Sequence, residues 1–224
     1  MKKIVRQLFA LLLCLGLFCP SAWALTVMPL NPEDIFTEEI LEKEQVSSWA
    51  ESEVNAAYAA GLVPTLTGDP GFQDKITREQ FAELSLQLVK VVYGEDADMT
   101  QAKSFSDCTN PAVLEASAFG IVEGSDGKFN PTNTTDRQQI ATMLNRSIVT
   151  LKELTGKNAA PKAGSVESFS DKGSIAAWAK DGVGALAANG IIQGSGGKVM
   201  PKNPCTVEQC ILMCYRVYKT FGVG

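Results

Sequence analysis

The chain of 224 residues contains no histidine. That absence removes the commonest general base at neutral pH and a common transition-metal ligand. There is no Gly-x-Ser-x-Gly nucleophile elbow and no paired-carboxylate motif that can be placed in a cleft. No catalytic residue, metal site or cofactor is expected, so the chain does not read as an enzyme. Basic residues are also few, 20 against 25 acidic. Setting aside Lys2, Lys3 and Arg6 leaves 17 against 25, a net charge of −8. That balance speaks against non-specific binding to nucleic acid or to an anionic membrane. Recognition of an anion must then be local, through a few placed cations.

Only one long apolar run is present, from Leu8 to Phe18. Lys2, Lys3 and Arg6 precede it, and Ala22-Trp23-Ala24 follows with a small-x-small pattern. Residues 1–24 therefore read as a signal peptide, with an exported mature chain and no membrane span in it. Cys14 and Cys19 follow Leu13 and Phe18, which are bulkier than a lipidation site prefers. Cys108, Cys205, Cys210 and Cys214 remain. The C-x4-C-x3-C spacing of the last three is not a zinc pattern. Two readings stay open for these four: small buried hydrophobes, or a disulfide between Cys108 and one of the others.

What is present is a repeat. Gly61-Leu62-Val63, Gly120-Ile121-Val122 and Gly190-Ile191-Ile192 each precede a polar motif by 16 residues. The motifs are Thr77-Arg78-Glu79-Gln80, Asp136-Arg137-Gln138-Gln139 and Thr206-Val207-Glu208-Gln209. A spacing held three times implies tandem units that share a core. Each unit reads as helix, loop, helix. The first helices are expected near Ser48-Trp49 to Ala60 and Ala177-Trp178 to Asn189, with Cys108 at the Trp position of the second unit. The glycines suit helix C′ caps. Phe105-Ser106-Asp107 and Phe169-Ser170-Asp171 introduce units two and three, with the Phe expected to pack between units.

Thr77 with Gln80, Asp136 with Gln139, and Thr206 with Gln209 fit the capping box that opens a helix. Arg78 and Arg137 are not explained by capping. A cation just inside a helix N-terminus opposes the dipole. Beside free amides it makes an anion pocket, while a solvated or ion-paired arginine is the other reading. As an exposed residue, Arg78 is expected to be replaceable by Ala within about 0.5 kcal/mol of stability. Trp49 and Trp178 fit either the core and its rim or a ligand-stacking surface. Gly124-Ser125-Asp126-Gly127 and Gly194-Ser195-Gly196-Gly197 read as tight turns with positive φ.

These motifs, in this order, resemble those of S-layer homology domains across roughly Gln45 to Gly222. The resemblance implies a mainly α fold, with three helix-loop-helix repeats in a pseudo-threefold array around a central bundle and grooves between units. The implied organisation is an acidic lead at 25–44, repeats at 45–94, 103–153 and 166–222, and a linker at 154–165. The implied function is non-covalent attachment to the bacterial cell wall. Its partner would be a secondary polysaccharide joined to peptidoglycan, often pyruvylated. Carried over, Arg78 and Arg137 match the family's basic position, Gly124, Ser125, Gly194 and Ser195 its groove loop, and Trp49 and Trp178 its helix-start aromatic. Val207, Cys108 and the missing Gly-Ser loop of unit one depart from the pattern. The alternative is a scaffold that has lost the glycan and binds another surface protein or itself.

Overall fold

The structure is a computed structural model that describes residues 45–156 and 162–222. The expected signal peptide and acidic lead, and residues 157–161 of the expected linker, lie outside the described residues. The fold is mainly α. Its helices are α1 (Glu51–Ala59), α2 (Arg78–Tyr93), α3 (Pro111–Ala118), α4 (Arg137–Thr155), α5 (Lys180–Ala188) and α6 (Val207–Val217). Helix α4 runs to Thr155 before Gly156 closes it, so the linker starts later than its polar composition suggests.

Capping chemistry sets the helix boundaries. Thr77, Asp136 and Thr206 each accept from the N3 amide, and the N3 glutamine side chain accepts from the cap amide in return. The shorter helices end in Schellman turns. Leu62 N donates to Ala57 O and Gly61 N to Tyr58 O, and the same pattern recurs at Ile121 and Ile191. The glycines there take φ of 72°, 74° and 72°, a conformation that costs other residues a steric penalty. The turns aim Leu62, Ile121 and Ile191 into the core, where each is buried.

The helices do not pair as the linear order suggests. Among the described residues, α1 packs on α6, α3 on α2 and α5 on α4, while α2, α4 and α6 pack on one another. The two helices of one sequence unit do not pack closely together. Each first helix sits on the second helix of the preceding unit, and α1 closes the cycle onto α6.

Backbone hydrogen bonds enforce this cycle. Ile76 N donates to Cys205 O at 3.0 Å, Cys205 N to Thr135 O at 3.2 Å, and Thr135 N to Ile76 O at 3.0 Å. All three residues are fully buried. The N1 amides of Arg78, Arg137 and Val207 donate to Asn133, Asn203 and Asp74 of the next unit. The N2 amides of Glu79, Gln138 and Glu208 donate to Pro131, Pro201 and Phe72. The N2 side chains cross the same boundaries: Glu79 to Asn110, Gln138 to Ala176, and Glu208 to Ser47. Glu208 is buried, and both of its carboxylate oxygens accept from Ser47, one from the amide and one from the hydroxyl, each at 2.9 Å.

Asp107 and Asp171 pin the loops. Asp107 accepts from the amides of Phe129 and Asn130 at 2.7 and 2.9 Å, and Asp171 from Val199 and Met200 at 3.0 and 2.8 Å. These bonds hold the Asp107 carboxyl below its ordinary range. At Asp171 partial burial opposes the shift, yet the backbone bonds still lower it. A depressed folded-state pKa contributes stability that is complete above the unfolded value, about 3.9, and is lost as pH falls through the folded value. The double variant Asp107→Asn, Asp171→Asn is therefore expected to melt lower at neutral pH. It should also lose less melting temperature than the parent between about pH 5 and pH 2, as thermal melts across that range would show. Phe105 packs on Phe129 of its own loop, with ring centroids 5.3 Å apart. The sequence-based placement between units is thus corrected: the tight loop leaves Phe129 as its nearest ring.

Candidate functional site

Two clefts of similar size open at the unit boundaries. The first, groove A, encloses about 520 Å³ and is walled by Arg78, Gly124, Ser125, Lys128, Arg146 and Trp178. The second, groove B, encloses about 540 Å³ and is walled by Arg137, Gly194, Ser195, Met200, Arg216 and Trp49. Each groove draws on all three helix pairs. Groove A takes Arg78 from the first, its loop from the second and Trp178 from the third. Groove B takes Arg137 from the second, its loop from the third and Trp49 from the first. The sequence-expected arginines, Gly-Ser turns and tryptophans thus fall into two sets, each assembled by the cyclic pairing.

The loops are two-residue hairpins. Ser125 and Lys128 exchange both backbone bonds at 2.9 Å, and Ser195 and Lys198 do so at 2.8 and 3.0 Å. Asp126 and Gly127 have φ of 53° and 71°, and Gly196 and Gly197 have 56° and 71°. Positive φ at both central positions is the type I′ turn that suits a hairpin. A Cβ on Gly124 would lie 2.4 Å from Lys128 O, and one on Gly194 2.6 Å from Lys198 O. Those two positions admit only glycine, so the groove wall is backbone and a serine hydroxyl. Phe129 and Val199 turn inward and are fully buried.

Trp49 and Trp178 are 59% and 58% exposed. The core reading of these rings is corrected: each stands before its helix proper and offers a face to the cleft. Arg78 is half-buried. Its Nε donates to Phe129 O at 2.9 Å and its Nη2 to Glu123 O at 3.1 Å. The guanidinium lies 4.9 Å from the centroid of the Phe129 ring. Among the described residues it forms no ion pair with a carboxylate. Burial, and then the charge of Arg146, push its pKa down. Arg137 places Nη2 3.4 Å from Gln209 Oε1, and its buried Nε has no hydrogen-bond partner. Both are cations with weak internal compensation, and both face a cleft.

The expectation of free helix-start amides is overturned. The N1 and N2 amides of all three long helices donate to carbonyls of the next unit, and the N3 amides go to the caps. The anion-attracting element is the guanidinium alone. The stability expectation for Arg78 changes too. Loss of two bonds to carbonyls across a unit boundary, and of the ring contact, predicts a cost of about 1–2 kcal/mol for Arg78→Ala. Chemical denaturation of the variant against the parent measures it.

Arg146 and Arg216 are site residues that pattern reading missed. Arg146 Nη2 lies 2.8 Å from Glu123 Oε2, and Arg216 Nη2 2.7 Å from Glu53 Oε2. Hydrogen bonds from Arg216 hold the Glu53 carboxyl below its ordinary range, against partial burial. Each lies nine residues after a helix start, Arg137 or Val207. At about 100° per residue, nine residues turn a side chain to the opposite face. Helix α4 therefore presents Arg137 to groove B and Arg146 to groove A.

The third boundary differs. Its cleft encloses about 320 Å³ and is walled by Tyr58, Val63, Leu66, Phe72, Val207 and Ile211. Val207 is buried and brings no charge. Thr67 gives its amide and its hydroxyl to Glu83, which fastens this loop to α2. Cys108 replaces the tryptophan and is buried. All four described cysteines are buried free thiols. Burial pushes the Cys210 and Cys214 thiols up.

A family model for the S-layer homology domain matches residues 105–141 and 168–206. The chain is 23% identical over 191 residues to the exoglucanase XynX of Acetivibrio thermocellus, covering 83% of this chain and 17% of that protein. It is 23% identical over 224 residues to the S-layer protein sap of Bacillus anthracis, covering 99% and 25%. It is 30% identical over 105 residues to an endoglucanase of Bacillus sp. strain KSM-635, covering 43% and 11%. The chain thus spans 11–25% of the length of these relatives. The matched segments contain the Phe-Ser-Asp starts, the type I′ loops, Trp178 and Arg137, whereas Arg78 and Trp49 lie outside them. No helix among the described residues is long and apolar enough to cross a membrane. Residues 105–141 and 168–206, each holding a first helix, its loop and the start of the motif that follows, thus match as S-layer homology domains.

Proposed function

We propose that this chain is a bacterial cell-surface module that binds an anionic secondary polysaccharide of the cell wall without covalent chemistry. In this reading the pyruvate or phosphate groups of that polymer supply the anion. The observation that carries it is the content of grooves A and B. Each joins a guanidinium with no carboxylate partner, a hydrogen-bonding Gly-Ser turn and an exposed tryptophan. An acidic sugar needs those three things: a charge partner, polar contacts for its hydroxyls and a flat apolar face. The relatives add support, because proteins named as glucan hydrolases and as an S-layer protein share this stretch. A stretch shared by proteins with such unlike names suits attachment rather than chemistry. Three repeats at 45–94, 103–153 and 166–222, in a pseudo-threefold array behind an exported leader, complete the proposal.

The third cleft, whose wall holds no cation, favours a second reading, in which the fold serves as a scaffold for another surface protein or for itself. Purified sacculi separate the two. Under the leading reading the protein sediments with intact sacculi and stays in solution once the secondary polymer is stripped. Equal sedimentation with both, or with neither, moves the assignment to the scaffold.

A further inference from the structure

The two cationic grooves are not equivalent: the wall of groove A carries a lysine, Lys128, and a carboxylate, Glu123, and that of groove B carries neither. Glu123 stands three residues after Gly120 and walls groove A. Its counterpart three residues after Gly190 is Gln193, which walls groove B. The Glu123 carboxylate is half-exposed. One oxygen lies 2.8 Å from Arg146 Nη2 and the other 3.6 Å from Lys103 Nζ. Its backbone carbonyl, 3.1 Å from Arg78 Nη2, fixes it next to the guanidinium that has no carboxylate of its own. In groove B the second arginine is also paired, but its partner Glu53 comes from α1 and is not part of the groove wall. An incoming anion in groove A therefore meets a fixed negative charge inside the cleft. In groove B it meets a neutral amide.

The geometry points to Glu123 as a specificity-determining residue of groove A: an internal carboxylate that competes with the ligand's anion for Arg146 and repels it from Arg78. Groove A, whose wall also carries Lys128, is then the more selective site. This rests on the wall-polymer reading above. Both positions are exposed, so exchanging their charges leaves the core intact. An exposed charge pair contributes at most about 1 kcal/mol, which corresponds to about fivefold in affinity.

The experiment is calorimetric titration with secondary polymer released from purified sacculi, at low salt. Glu123→Gln is expected to tighten binding by about fivefold and Gln193→Glu to weaken it by about as much. In an Arg78→Ala, Arg146→Ala background, where groove A has lost both arginines that Glu123 acts on, the gain from Glu123→Gln should disappear. A purely structural effect of Glu123 would persist there. Unchanged or weaker binding by Glu123→Gln, or a gain that survives the loss of both arginines, overturns the inference while the wall-polymer reading stands. Absence of polymer binding by the parent protein overturns both.

Discussion

A fragment of residues 103–150 is expected to be largely unfolded by circular dichroism and to melt without a cooperative transition. It contains α3 and most of α4, and these two helices do not pack closely together. The partner of α3 is α2, and the partners of α4 are α2, α5 and α6. All of those would be missing. The fragment would also strand backbone groups. Arg137 N and Gln138 N lose Asn203 O and Pro201 O, and Thr135 N loses Ile76 O. Helix α3 has eight residues, whereas isolated helices shorter than about 12–15 residues are marginal in water. Repeat arrays gain their stability from interfaces between neighbours, and here the interface replaces the internal core of the unit. A sharp melt from this fragment would show that a unit folds on its own and would refute the cyclic account.

The features legible in the sequence are those fixed by local chemistry. A Thr or Asp followed three residues later by Gln opens a helix because unsatisfied amides need acceptors within the same turn. A glycine after an amphipathic run ends one because C′ needs positive φ. Both were readable at all three positions. Which helix packs on which was not, because amphipathic periodicity shows that a face is buried but not by whom. Ser47 and Glu208 are 161 residues apart. Glu208 of the helix-start motif fastens the third unit to the first.

The site was half legible. Arg78 and Arg137 could be named because a cation at a positive helix end breaks a local rule. The Gly-Ser turns and the tryptophans were named as site residues by the family resemblance. Arg146 and Arg216 break none, since a lone arginine late in a helix is the ordinary solvated case. Their only signal is the shared nine-residue offset from the helix start, which becomes meaningful once two grooves are known to flank one helix. The free-amide pocket failed for the converse reason. Amides idle within one helix find acceptors in a neighbouring unit that sequence spacing does not locate.

Loss of either cleft arginine is expected to weaken binding of the isolated wall polymer by at least about tenfold at its own groove. A hydrogen bond to a charged group contributes roughly 1.5–3 kcal/mol, and tenfold corresponds to about 1.4. Neither Arg78 nor Arg137 has a carboxylate partner among the described residues, so little internal compensation opposes the ligand. Arg78→Lys is the sharper probe for groove A. It keeps the charge but loses the planar fork that spans two carbonyls and still reaches an anion. Binding should weaken for Arg78→Lys as well, with less loss of fold stability than Arg78→Ala carries. Val207→Ala should leave binding unchanged, because Val207 carries no charge to lose. Removing the pyruvate or phosphate groups of the polymer should abolish the difference between parent and arginine variants. Since the chain carries more acidic than basic residues, affinity should fall with salt less steeply than for a broad basic patch. Calorimetric titration of the four variants with native and stripped polymer measures all of this. Equal affinity across them would remove the arginines from the binding site.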